Sequence, residues 1–376
     1  MVNRAIRVCF MIDRLLPGGT ESQLVALIRH LDRSRVRPYL CLLDGEDPTS
    51  RAMEPPDCPV LRLGVRSLHR PRALGKALEL ARLLRRERID VLQVYFPDST
   101  YLGVPVGRLA GVPYILRTRN NINHWMTPTH RRLGRLLNRL VTGTVTNSEA
   151  CRQALLADEG PSPETVVVLE NGVDLGRFLA IPPAGATAPG KVRRVGTVAN
   201  LRPVKGIDIL VEAAARLTVD HPDVAFAVAG EGESRPALEK RVAELGLGER
   251  FALLGSVKDI PAFLAGLDVA VLCSRSEGMS NAVLEYMAAG RAIVATAVGG
   301  TVRLIEDGVQ GLLIPPEDPV ALAEAIRRLL NDPALAARLA TAARRRAQER
   351  YSREVMVRTF EAFYHRLVLE GRILVS

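Results

Sequence analysis

Two doubly wound α/β domains are predicted, each a parallel sheet with helices on both faces. Strand-like apolar runs alternate with helical patterns along all 376 residues, as a parallel sheet with crossover helices requires. The alternation breaks once, at "IPPAGATAPGK" (181–191), where Pro, Gly and Ala crowd together without periodicity, as in a linker. The length also suffices for two domains that each bury a core. The expected boundaries are 1–185 and 186–355, with 356–376 a closing helix that crosses back to the first domain.

In order, the first half reads "IRVCFMI" then "TESQLVALIRHL", "IDVLQVYF" then "TYLGVPVGRLAG", "VPYILRT" then "THRRLGRLLNRLVTG", "GTVTNS" then "EACRQALLADEG", and "TVVVLENGV". The second half restarts with "RRVGTVAN" and "GIDILVEAAARLT" and runs through "DVAFAVAGEG", "RFALLGS", "DVAVLCS", "NAVLEYMAAG" and "RAIVATA" to a helical tract from Pro319. Within "THRRLGRLLNRLVTG", Arg131, Arg135 and Arg139 stand against Leu133, Leu136, Leu137 and Leu140. That pattern suits a core-facing helix with a solvated face; a basic helix lying on an anionic membrane is the alternative.

Composition excludes several classes. No window approaches the ~18–20 apolar residues that span a bilayer. The first residues make a poor signal peptide, so a cytoplasmic protein is expected. The five cysteines are scattered, with no C-x-x-C, and are expected to be reduced and structural, with no metal bound. The net charge is +10, but only five of the 51 basic residues are Lys, and aromatics to stack on bases are few. Residues 1–185 carry 26 basic and 18 acidic residues, which suits a phosphorylated substrate or an anionic membrane face; no nucleic-acid partner is expected.

Open α/β sheets bind ligands beyond the carboxyl ends of their strands, so the loops there carry the chemistry. After "RRVGTVAN", Arg202 and Lys205 precede Gly206 at a helix start; they fit a diphosphate site or two solvated loop charges. Gly230 and Gly232 flank Glu231 after the next strand, allowing a tight turn and a close ligand approach. "SRSEGMSNAVLEYMAAG" places Glu277 in a strand-exit loop and Glu285 two helical turns on, with Met279, Ser280, Asn281 and Ala282 at the helix start. Glu285 sits in an apolar stretch, where a carboxylate needs a partner; a ribose diol would serve.

The combined "RPVKG", "GEGES" and E-x7-E segments resemble the retaining, two-domain family-4-type glycosyltransferases of the GT-B fold. "LLPGGTESQLVALIRHL" looks like that family's Gly-Gly loop and first helix. The resemblance implies two Rossmann-like domains facing across a cleft and a sugar transferred with retention from a nucleoside-diphosphate sugar, without cofactor or metal. It implies that Arg202 and Lys205 stabilise the leaving diphosphate, that Glu277 contacts the transferred sugar and Glu285 the ribose. Backbone at Met279–Ala282, Gly230 and Gly232 would approach the donor, as would Gly18 and Gly19 from the first domain. The acceptor side departs from the family pattern: Arg119 stands where many members have a His, and His124 follows. A saccharide or lipid-linked acceptor is expected, in bacterial polysaccharide or glycolipid assembly, with possible contact to the inner membrane face. A non-catalytic nucleotide-sugar-binding subunit and a nucleotide-sugar epimerase are the alternatives.

Overall fold

The computed structural model describes residues 4–68, 72–120, 122, 126–182, 192–371 and 373. The chain divides into two units, 1–171 with 353–376, and 172–352.

Unit 1 contains β1 (Ile6–Ile12), α1 (Gly19–His30), β2 (Val36–Leu42), α2 (Pro48–Met53), β3 (Val60–Arg62), α3 (Arg72–Arg86), β4 (Val91–Tyr95) and α4 (Pro97–Ala110). It continues with β5 (Tyr114–Arg119), α5 (Pro128–Leu137), β6 (Gly143–Thr146), α6 (Glu149–Glu159) and β7 (Val166–Val168). Its seven strands lie parallel in the order β3-β2-β1-β4-β5-β6-β7.

Unit 2 contains β8 (Arg193–Val198), α7 (Ile207–Asp220), β9 (Val224–Ala229), α8 (Arg235–Glu244), β10 (Phe251–Gly255), α9 (Ile260–Ala265) and β11 (Val269–Leu272). Then come α10 (Asn281–Ala288), β12 (Ala292–Thr296), α11 (Thr301–Leu304), β13 (Leu312–Ile314), α12 (Pro319–Asn331) and α13 (Pro333–Arg350); a last helix, α14 (Arg353–Glu370), belongs to unit 1. The order of its six parallel strands is β10-β9-β8-β11-β12-β13.

Local chemistry sets the element starts. Asp47, Asp259, Asp318 and Asp332 each accept a backbone N–H as helix caps, and a Pro in the first turn follows each. The central strands are apolar on both faces, as parallel strands between helix layers must be, and two buried clusters fill each unit, one on either side of its sheet.

The entry into unit 2 corrects the expected boundary at 185/186. The crossing lies at Asn171/Gly172, because Phe178 and Ile181 are buried in the unit 2 core. Arg344 donates to the Phe178 and Ile181 carbonyls at 3.2 and 3.1 Å, and Arg291 to that of Pro182. The Pro/Gly-rich stretch from 183 lies outside the described residues. At the other end α14 joins unit 1 from Arg353, three residues before the expected 356. Its Met356, Phe360 and Tyr364 pack with Leu24 and Ile28. Tyr364 donates to buried Gln93 Oε1 at 2.6 Å, and Glu361 accepts the Asp32 N–H at 2.7 Å.

Helix α5 differs from the core-facing expectation. Gly134 and Leu137 are buried, but Leu133, Leu136 and Leu140 are more than a third exposed. Gly134 lets α5 pack against Glu159, where a Cβ would fall 2.3 Å from Oε2. Arg131 pairs with the Asp158 carboxylate at 3.3 Å and Arg135 donates to its carbonyl at 3.1 Å.

Candidate functional site

The strand order of unit 2 reverses between β8 and β11, since the chain leaves β8 toward β9 and returns on the other side. Loops diverge at such a point and leave a crevice at the carboxyl ends of the two strands. Arg202 and Lys205 stand on the β8 exit, and Glu277 on the β11 exit. Lys205 Nζ lies 2.6 Å from Glu277 Oε1, and the Ser274 hydroxyl donates to the same oxygen at 2.6 Å. The Glu277 side chain is only 9% exposed and that of Lys205 26%, so the pair is largely shielded from water. Arg202 is exposed, and its side chain has no partner among the described residues.

The two loops are strapped together. Arg275 donates through its backbone to the Val204 carbonyl at 2.8 Å, and its guanidinium grips Asp208 at 2.6 and 2.9 Å and also Pro203 O and Glu317. The Arg275 pKa is raised, first by Asp208. Gly206 lies where the loops touch: its φ is +63°, and a Cβ there would fall 2.0 Å from the Cys273 carbonyl, so only glycine fits. Behind the pair, Gly300 N–H donates to the Gly278 carbonyl at 2.9 Å and the Thr296 hydroxyl to that of Ser274 at 2.7 Å.

Ser280 caps α10 by accepting the Val283 N–H at 3.3 Å, so Met279–Ala282 form the start of that helix at the mouth of the β11 exit. Tyr286, fully buried, sets its position. The Tyr286 hydroxyl accepts the Val198 N–H at 2.7 Å and donates to the Val271 carbonyl at 3.3 Å, joining the ends of β8 and β11. Gly230 and Gly232 make their close approach to protein backbone. A Cβ would fall 1.9 Å from Ala199 O and 2.4 Å from Leu201 O, so these glycines seat the loop that carries Arg202.

Glu285 lies one residue before Tyr286, 22% exposed, with Arg177 Nη1 3.7 Å away. Burial pushes its carboxyl up to about 7, against the opposing attraction of Arg177. An unfolded Glu ionises near about pH 4.3, so between there and 7 the unfolded chain has lost a proton that the folded chain keeps. Stability therefore falls as pH rises through that window, and the cost is complete above it. Glu285→Gln is expected to match wild-type stability near pH 4 and to exceed it at pH 8 by about 3 kcal/mol. Urea midpoints of both proteins across that range check this.

In unit 1 the order reverses between β1 and β4. Asp13, at the β1 exit, accepts the Ser99 N–H and hydroxyl at 2.7 and 2.5 Å, tying the first turn of α4 to β1. Gly18 and Gly19 form the N-terminus of α1; a Cβ on Gly18 would fall 2.5 Å from the Glu21 carboxylate. Arg119 ends β5 and is committed to a buried ion group: Glu159 lies 3.3 Å from Arg119 and 2.8 Å from Arg117. A pocket of about 540 Å³, open-solvent space included, is lined by Arg117, Arg119, Asn120, Tyr101 and His130 among others. His124 lies outside the described residues. Among the described residues, no group of three or more His, Cys, Asp or Glu is arranged to hold a metal, and no helix is long and apolar enough to cross a membrane.

Sequence reasoning missed Ser274, Tyr286, Arg275 and Arg177. The first three flank the two glutamates directly, and an apolar helix carrying one Tyr beside its Glu was the available signal for Tyr286. Arg177 lies in the segment that had been assigned to the other domain.

Two doubly wound parallel-sheet units, one with a cation–carboxylate pair at its switch point, define the class as a GT-B glycosyltransferase. A family model described as Glycosyltransferase Family 4 matches residues 17–177, and one described as Glycosyl transferases group 1 matches 184–346. The chain belongs to this two-domain, family-4-type glycosyltransferase family. An alpha-D-kanosaminyltransferase of Streptomyces kanamyceticus is 39% identical over 145 residues, which is 38% of each protein's length. A 2-deoxystreptamine glucosyltransferase of the same organism is 29% identical over 285 residues, 68% of this chain and 72% of that one. Among solved structures, Anabaena HepE in complex with UDP-glucose superposes with a TM-score of 0.82 at 23% identity, over 96% of this chain and 99% of that one.

Proposed function

We propose that the chain transfers a sugar from a nucleoside-diphosphate sugar to a saccharide or lipid-linked acceptor, with retention and without a metal ion, in bacterial polysaccharide or glycolipid assembly. The observation that carries this is the 2.6 Å Lys205–Glu277 pair at the β8–β11 switch point. Breaking a sugar–phosphate bond develops negative charge on the leaving phosphate, and fixed cations stabilise that charge without reorganising. Lys205 and the exposed Arg202 serve this role, helped by the amides at the start of α10. Glu277, held by Lys205 and Ser274, presents its second oxygen to the hydroxyls of the transferred sugar. Glu285 accepts from the ribose diol, adding hydrogen bonds to a largely buried carboxylate that otherwise faces Arg177 at 3.7 Å. The exposed leucines of α5, interleaved with arginines, fit contact with an anionic membrane face.

The test is calorimetric titration of UDP-, GDP- and ADP-sugars in EDTA. One donor is expected to bind wild type selectively and to bind Glu285→Ala about tenfold more weakly, the loss of one hydrogen-bonded contact to a charged group. Binding of none would defeat the donor reading, and equal binding to the variant would defeat the ribose role. Product anomeric configuration by NMR tests retention.

A further inference from the structure

Two cavities of unit 1, of about 540 and 340 Å³ with open-solvent space included, share Thr20, Tyr95, Thr118 and Asn120 in their walls. Among the described residues no Asp or Glu lines either one, so a cationic group would find no counter-charge there. A buried hydrogen-bond network ends at this shared wall. Gln93, fully buried, donates from Nε2 to the Tyr95 and Thr118 hydroxyls, both at 2.9 Å, and Tyr364 of α14 donates to its Oε1 at 2.6 Å. The register of β4 against β5 sets Tyr95 beside Thr118. The reverse amide orientation would strand a Gln93 N–H and the Tyr364 O–H in fully buried places, a cost that the observed one avoids.

Both hydroxyl oxygens accept from Gln93, so their own protons must go elsewhere. One of the two hydroxyls can donate to the other. The second proton then has no acceptor among the described residues. Asn120 presents the converse: its Oδ1 is shielded from water and accepts from no described residue. A donor and an acceptor left unmet on one wall call for a group that accepts and donates at once. A hydroxyl does both, whereas a phosphate or carboxylate only accepts. Phe96, in the wall of the larger cavity, stands at φ +62° and ψ 164°, a region nearly confined to glycine; such strain gathers at ligand sites.

We infer that this wall reads one hydroxyl of a neutral polyol carried by the acceptor. Tyr95 and Thr118 jointly supply the donor and Asn120 the acceptor, with Gln93 and Tyr364 as positioning residues behind them. The word acceptor rests on the transfer reading above; the hydroxyl site does not.

The full chain is titrated with myo-inositol, glucose and glycerol, and binding is read by saturation-transfer NMR. At least one polyol is expected to bind wild type, and inorganic phosphate is expected not to displace it. Asn120→Leu, and Tyr95→Phe combined with Thr118→Val, are each expected to weaken that polyol about tenfold. If one of these proteins folds poorly by its melting temperature, the other carries the test. Tyr364→Phe, which leaves the wall itself intact, is expected to weaken binding about threefold; a merely structural Tyr364 would lower the melting temperature and leave the dissociation constant unchanged. No binding of any polyol, displacement by phosphate, or undiminished binding in the wall variants overturns the inference. UDP, GDP and ADP titrated into the same preparations separate the two readings. Absence of nucleotide binding fails the transfer reading alone, whereas nucleotide binding without polyol binding fails the hydroxyl site alone.

Discussion

Replacing Lys205 by Ala is expected to lower turnover by about 10²–10³-fold, or about 2.7–4 kcal/mol of transition-state stabilisation. Two effects combine. In the proposed reaction the leaving diphosphate would lose a cation that is already in place, 26% exposed and 2.6 Å from Glu277. Glu277 in turn keeps only the Ser274 hydroxyl, so its shielded carboxylate is less well held for the sugar. Arg202→Ala is expected to cost less, because that side chain is exposed and partnerless among the described residues. Initial rates of nucleoside-diphosphate release from the donor that binds, with melting temperatures as a folding control, provide the check. Turnover at the wild-type rate in a folded Lys205→Ala protein would remove Lys205 from the chemistry.

Glu159→Ala is expected to destabilise the protein by about 3–5 kcal/mol, the cost typical of leaving buried charge without its partner. Both Arg117 and Arg119 would lose the carboxylate that they share, and neither is placed to rotate into water. The cavity left behind Gly134 adds to the loss. Urea unfolding of wild type and variant measures it. A loss below about 1 kcal/mol would mean that the guanidiniums are held or solvated without Glu159.

Much of the fold was legible because its signals are local. Alternating apolar runs mark strands buried on both faces, and the helical tract read from Pro319 begins where α12 does. The strand-exit loops holding Arg202, Lys205 and Glu277 were legible for the same reason, since ligand-binding loops follow strands in this class. The unit boundary was misread because Pro and Gly announce a break in periodicity, whereas membership of a core depends on what Phe178 and Ile181 touch. The α5 leucines misled similarly: helical spacing shows which residues share a face, but not whether a neighbour covers it.

By itself, then, the sequence determined two parallel α/β units, most of their strands, and the residue types at the strand exits. All of these depend on the backbone and its near neighbours. Only the tertiary structure decided the pairings between residues far apart in the chain. Lys205 meets Glu277, Arg117 and Arg119 share Glu159, Tyr286 spans Val198 and Val271, and Tyr364 reaches Gln93. The physical reason is that hydrogen bonds and ion pairs act over a few ångströms of space. Which residues come within that range is set by sheet order and helix packing, and these appear only when the whole core has closed.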